Sequence, residues 1–404
     1  MAEAGHIDVK SRRVFYIPGY DPIHPRRYRE LYRKEGAAQG EISGYEIALS
    51  PKQGGGPYGW HVEGRIEGGV TQADFEVLVW SDIVRDSMGL GITATYVQLA
   101  RTAWTYIASG ALGRLMKLRK GPVIAALYPV VFLLVQLLIS LLAAYGLGRL
   151  LAIWLPDWTA WGGLVIVPFL LNWFRKKDNK LFAYYLMHDY AYSAQSKGAN
   201  PPELEARMAE FADRIAEALE GDADEVLVIG HSSGAHLAVS ILADLIRGGR
   251  VPDTGPVLSF LSLGQVVPMV SFLSEAHRLR GDLRFLSTQD MAWVDVTAPG
   301  DGCAFALCDP VSVSGVAPES GKRWPLVLSA AFTQTLSPER WKELRWRFFR
   351  LHFQYLCAFD RPGDYDYFRV TAGPKTLGAR FEGRKASASR IETAVNRFTE
   401  VSDG

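Results

Sequence analysis

The chain has 404 residues, enough for two average domains or for one α/β domain carrying a large insertion. Its 44 Lys and Arg against 43 Asp and Glu leave a net charge of +1, which excludes a global pull toward nucleic acid or another polyanion. Cys303, Cys308 and Cys357 are too few for a disulfide framework and lack the C-x-x-C pairing of common zinc sites, so a reduced environment and no metal are expected.

The opening stretch MAEAGHIDVKSRRVFYIPGY has no basic segment followed by an apolar core and a cleavage site, so no signal peptide is expected. Its second half, RVFYIPG (13–19), reads as a strand. An amphipathic helix follows at HPRRYRELYRKEGAAQ (24–39), where Arg26, Arg27 and Arg29 either meet an anionic headgroup or form a solvated face. YEIALS (45–50) and FEVLVWSD (75–82) are further strands. Between 92 and 120, Ile92, Tyr96, Leu99, Ala103 and Ile107 share one helical stripe with Arg101 opposite. That pattern fits an interfacial helix leading into a membrane or an ordinary helix on the core.

Composition shifts at Gly121. PVIAALYPVVFLLVQLLISLLAAYGLG (122–148) contains no charge and is long enough to cross a bilayer as a helix. A second apolar run, WTAWGGLVIVPFLLNWF (158–174), contains Pro168 and completes an expected transmembrane hairpin. RLMKLRK precedes the pair and RKKDNK follows it, so both flanking portions are expected on the cytoplasmic side, with Trp154, Trp158, Trp161 and Trp173 at the interfaces.

Beyond the insert, strands at 225–230, 257–264, 291–298 and 325–332 alternate with helical patterns at 201–220, 234–249 and 268–279. The expected fold is α/β, a mainly parallel sheet covered by helices. Residues 1–90 and 181–376 would build it, with 91–180 as the membrane insert and 377–404 as a polar tail.

One motif in this frame carries chemistry. Gly230-His231-Ser232-Ser233-Gly234 reads G-x-S-x-G, after the buried-type strand Glu225 to Ile229 and before the helix from Ala235. Flanking glycines let the backbone turn sharply and hold the Ser232 hydroxyl at the strand's end. Around this motif, from about Arg13 to Phe368, the chain resembles the α/β-hydrolase superfamily, and more loosely its lipases and esterases. The resemblance implies a Ser, acid, His triad in that chain order. With that order, His277 falls too early, in a helix before the acid's strand, which leaves His352 in FFRLHFQYL as base. The acid is sought among Asp295, Asp301 and Asp309: Asp295 lies within a strand, Asp301 follows its end where the family places the acid, and Asp309 is the second choice. Asp301 also suits plain turn chemistry. Backbone N–H groups of Tyr20, after the Pro-Gly of VFYIPGY, and of Ser233 would form the oxyanion hole.

Parallel strands deliver their ends to the active-site edge, and crossover helices return from it. An insert from about Ile83 to Asn200 would therefore leave and re-enter on the catalytic side, with the mouth at the membrane surface. The expected protein is a membrane-anchored serine hydrolase of an acyl ester, such as a lipid, needing no cofactor. A thioesterase or acyltransferase with the same triad, and a non-catalytic membrane scaffold, are the alternatives. A transporter is disfavoured because the apolar runs hold no ionisable residue, and oligomeric state is left open.

Overall fold

The computed structural model describes residues 8–402 apart from 53, 90 and 179–181. The first seven residues of the stretch read for a signal peptide, and Asn179 and Lys180 of the basic flank, lie outside the described residues.

Eight strands form one mixed sheet in the order β2-β3-β4-β1-β5-β6-β7-β8. At its centre β5 (Glu225–His231) is buried at every position. Its Val226-Leu227-Val228-Ile229 run is apolar toward both faces because helices cover both, the condition of an interior parallel strand. β1 (Ser11–Ile17) and β6 (Val257–Leu263) flank it in parallel, Tyr16 opposite Ile229 and Ile229 opposite Leu261. β7 (Ala292–Thr297) and β8 (Leu326–Ser329) extend the parallel array. On the other side β4 (Gly69–Val77) runs parallel to β1, and β3 (Gly59–Ile66) and β2 (Glu46–Pro51) close the sheet as an antiparallel meander. β3 is the strand that the sequence pattern did not disclose. Trp60, Val62 and Ile66 point inward in alternation, but Gly64 interrupts the run, and a Cβ there would stand 2.2 Å from the Ala372 carbonyl oxygen.

α1 (Arg26–Ser43) covers one face, burying Tyr28 and Tyr32. α8 (Pro202–Leu219) and α9 (Gly234–Arg247) cover the other. The stretch 268–279, expected as one helix, is instead two, α10 (Val267–Ser271) and α11 (His277–Leu286). The break is stabilised by the buried Arg280, whose guanidinium donates to the carbonyls of Ser271, Leu273 and Ser274 that the interrupted helix leaves open.

A buried ion pair ties the sheet to the C-terminal segment. Arg12 Nε lies 2.6 Å from Glu225, and neither side chain is exposed. The remaining capacity of both is met: Arg12 donates to the Gly373 and Lys375 carbonyls, and Glu225 accepts from Ser259 Oγ and Leu377 N–H. Of the expected polar tail 377–404, the described residues 377–402 are held by backbone bonds to the body, Ile391 N–H donating to Leu307 O and Ser402 N–H to His277 O.

Asp295, inside β7, is a second buried acid, accepting from Ser262 Oγ at 2.6 Å while its Oδ2 has no partner among the described residues. Burial pushes its carboxyl up to about 8. A folded-state value above the unfolded one gives stability that is complete below about pH 4 and is lost as pH rises toward 8. Asp295→Asn removes that loss. In thermal melts between pH 4 and 9 the variant's midpoint should gain on the wild type as pH rises to about 8 and then hold its lead; a constant gap across the range contradicts this account.

The insert is helical. α2 (Ser81–Ser87) follows β4, then α3 (Ile92–Ala108) and α4 (Ala111–Leu118) meet at Gly110, whose φ of 71° breaks the helix. α3 buries Thr95, Leu99, Thr102 and Tyr106, so it packs on its neighbours, while Val97, Trp104 and Ile107 remain exposed. α5 (Lys120–Trp154) runs 35 residues, about 52 Å at helical rise, with most of its apolar surface uncovered. Among the described residues it is the one helix long and apolar enough to cross a membrane.

The second apolar run departs from the expected single helix over 158–174. It forms a 3₁₀ segment (Asp157–Val165) and then α6 (Ile166–Lys176). Pro168 lies in the first turn of α6, where its missing N–H costs nothing, and so favours a new helix start there. The pair still folds back on α5 through small residues: a Cβ on Gly163 would meet the Ala144 carbonyl oxygen at 2.1 Å. α7 (Ala183–Gln195) then returns to the sheet.

Candidate active site

β5 ends at His231, and Ser232 follows with φ of 56°. A non-glycine residue in the left-handed region costs of order 1–3 kcal/mol and persists only where its surroundings enforce it. Here they do. Ser232 N–H donates to Leu263 O at 2.9 Å at the end of β6, and Ser232 O accepts from Ala235 N–H at 3.1 Å as α9 begins. The glycines make the turn sterically feasible: a Cβ on Gly234 would lie 2.1 Å from the Ile17 carbonyl oxygen, and one on Gly230 2.7 Å from Ala235 Cα.

His352 ends the short helix Phe348–His352 and lines the same cavity as Ser232. Its Nδ1 donates to Asp301 Oδ2 at 2.7 Å, leaving Nε2 buried without a hydrogen-bond partner among the described residues. No hydrogen bond joins Ser232 to His352 in this state; such contacts commonly tighten only when substrate is bound. Asp301 also accepts from Tyr355 OH at 3.0 Å and from Cys303 N–H at 2.8 Å. Burial alone would raise its carboxyl; the His352 charge and these three hydrogen bonds outweigh it and hold the group below the usual carboxylate range. Asp309, the second choice, is engaged elsewhere, capping the helix Pro310–Val313 and pairing with Lys322. Asp295 accepts from Ser262 instead, and its other oxygen has no hydrogen-bond partner among the described residues.

His231 was legible only as a motif position, yet it braces the base. Its Nε2 donates to the His352 carbonyl at 3.0 Å, and the two rings lie 4.9 Å apart. Burial, reinforced by the His352 charge, pulls His231 down to about 3, so it stays neutral and donates.

The loop after β1 supplies Gly19 and Tyr20. A Cβ at Gly19 would stand 2.9 Å from Ser232 Cβ and 3.4 Å from its Oγ, so only glycine lets this loop approach. Neither the Tyr20 nor the Ser233 backbone N–H has another hydrogen-bond partner among the described residues. Tyr20 is fixed by its hydroxyl bond to Ser87 at 2.5 Å and by the Tyr185 hydroxyl donating to its carbonyl. Gly19→Ala should lower kcat/KM for any ester substrate at least tenfold while the fold survives, because the added methyl displaces the Ser232 side chain. Unchanged kinetics with an unchanged melting point would separate the loop from the reaction. Arg27 in the neighbouring cleft pairs with Asp21 at 3.1 Å and lies over Phe353, and Arg29 pairs with Glu30, so both are already engaged.

A cavity of about 80 Å³ opens over Ser232 and His352. Much of its wall comes from the insert: Tyr106 of α3, Pro122 of α5, and Tyr185, Asp189 and Tyr190 of α7. The foot of α5 is packed on the acid's loop, Gly121 against Gly302 and Arg119 Nε donating to Ala306 O at 2.7 Å. Asp189 was not singled out from sequence. An acid amid the apolar residues of AYYLMHDYAYSAQ was the available signal. Burial pushes its carboxyl up to about 7 against the opposing pull of His352.

Asp301, Cys303 and His352 present donor atoms within 4.8 Å of one another. They suit a metal poorly, since Asp301 and His352 spend their facing atoms on each other, and burial with the Asp301 charge raises the Cys303 thiol well above its usual range.

The chain belongs to the alpha/beta hydrolase family, whose model matches residues 125–389. That match includes β5 to β8, Ser232, Asp301 and His352, and it points to hydrolase-type activity. No curated protein and no solved structure matches the chain.

Proposed function

We propose that the protein is a membrane-anchored serine hydrolase that cleaves an acyl ester of a lipid. The observation that carries this reading is Ser232, held in a left-handed turn beside the Asp301–His352 pair in a cavity walled by Pro122 of the long apolar helix. Ser232 Oγ attacks the acyl carbon and its proton passes to His352 Nε2, while Asp301 fixes the tautomer and balances the imidazolium. The N–H groups of Tyr20 and Ser233 receive the oxyanion. His352 returns the proton to the departing alcohol, and a water repeats the sequence to release the acid. α5 crosses the bilayer, and the 3₁₀ segment with α6, together about 34 Å long, is its return. The basic residues Arg114, Lys117, Arg119 and Lys120 around the start of α5 and Arg175, Lys176 and Lys177 at the end of its return favour a cytoplasmic site.

Fluorophosphonate labelling of the protein in native membranes tests the chemistry. The reading expects a label on Ser232 that persists in Ser233→Ala and disappears in Ser232→Ala. Absence of any label on the native protein would favour a scaffold that retains the hydrolase fold without the reaction.

A further inference from the structure

Behind the Ser232 cavity lies a second one, about 110 Å³, enclosed by α3, α4, the first turns of α5, and α7. Its walls are apolar, formed by Ala103, Ile107, Leu115, Ala126, Val130 and Met187 among others. Tyr106, Tyr190 and Met269 line both cavities, so they form the partition between them. Tyr106 spends its hydroxyl on the Met269 carbonyl at 3.0 Å, and so turns no unmet polar group into the chamber. An apolar space of this size stays dry and accepts hydrocarbon. Its outer wall is made of side chains that also face outward: Ile107 and Leu127 are exposed, and beside them Trp104 and Ile124 uncover a continuous apolar surface at the foot of α5. Uncovered apolar surface of this kind marks a protein or membrane contact, and here it adjoins a helix long enough to cross a bilayer.

We propose that this chamber is the acyl-chain subsite: one hydrocarbon chain of the lipid ester enters sideways from the bilayer between α3 and α5 and lies in the chamber, with its carbonyl at Ser232. The inference rests on the hydrolase reading and adds to it a direction of entry, a site for the chain and a preference for esters of medium or long acyl chains. Each methylene placed in the chamber should raise kcat/KM roughly fourfold until it is full.

Two measurements test it. The first needs no turnover: Ser232→Ala protein in phosphatidylcholine vesicles is irradiated with a palmitic acid bearing a terminal diazirine, and the modified peptides are mapped. Adducts are expected within residues 102–130 and at Met187, reduced at least fivefold when Ala126→Trp or, from the opposite wall, Ala103→Phe fills the chamber. The second is the ratio of kcat/KM for decanoyl over butyryl esters, expected to fall at least tenfold in either filling variant relative to the wild type. Adducts confined to other surfaces, or a ratio unchanged in both variants, overturn the subsite. Adducts in the chamber with no ester cleaved by the wild type would instead overturn the hydrolase reading and leave a lipid-binding chamber standing.

Discussion

Ser232→Ala is expected to lower kcat for a soluble aryl ester by about 10⁴-fold or more while leaving the unfolding midpoint nearly unchanged, because removing a nucleophile collapses the whole relay. The alanine keeps the same φ of 56° and therefore the same backbone strain. Ser232→Gly separates the two roles of the position. It should be equally inactive, yet more stable by about 1 kcal/mol, since glycine adopts the left-handed region without the Cβ penalty, offset in part by its greater unfolded-state freedom. Denaturant titration beside the kinetic assay reads both quantities. Retention of a tenth of the activity in Ser232→Ala would remove Ser232 from the chemistry, and a glycine variant less stable than wild type would refute the strain account.

Asp301→Asn is expected to cost about 10⁴-fold in kcat, with little change in KM. The carboxylate accepts from His352 Nδ1, Tyr355 OH and Cys303 N–H. An amide can offer its NH₂ to Nδ1, and the imidazole then carries its proton on Nε2, where it cannot take one from Ser232. Asp309→Asn is the control, because that side chain caps a helix and pairs with Lys322 away from His352. Asparagine caps as well as aspartate, so the variant loses only the Lys322 pair, about 1 kcal/mol of stability or less, and leaves kcat within a few-fold. The reverse pattern, activity lost at Asp309 and kept at Asp301, would reassign the acid.

What could be read from the sequence and what could not divides by the range of the interactions concerned. G-H-S-S-G announces its geometry because the steric demand lies within five residues, and β5 announces itself because burial on both faces requires an unbroken apolar run. The order of acid and base came from the family resemblance, which pointed to His352 and left Asp309 as a second choice beside Asp301; the structure sets Asp301 2.7 Å from His352. Other features depend on partners distant in sequence. β3 escaped because Gly64 is required by Ala372, some three hundred residues on, and glycine reads locally as an interruption. The break between α10 and α11 is stabilised by Arg280, whose side chain turns back onto carbonyls that a helical pattern assumes are already paired. The pocket wall from α7 offers only one local sign, the acid Asp189 amid apolar residues; the return of the insert to the sheet is what makes it part of the site.

The contacts of Gly19 and Gly234 also bear on how such a site can change. A side chain at Gly234 would strike the end of β1, and one at Gly19 would strike Ser232, so two segments more than two hundred residues apart interlock like a tenon and its mortise. Neither half can be exchanged or reshaped alone: a substitution that enlarges either must be answered in the other. The stretch matched by the family, residues 125–389, contains the tenon. Its mortise is cut in the loop after β1, so a graft of the matched stretch onto another scaffold would carry the nucleophile without the surface that fits it.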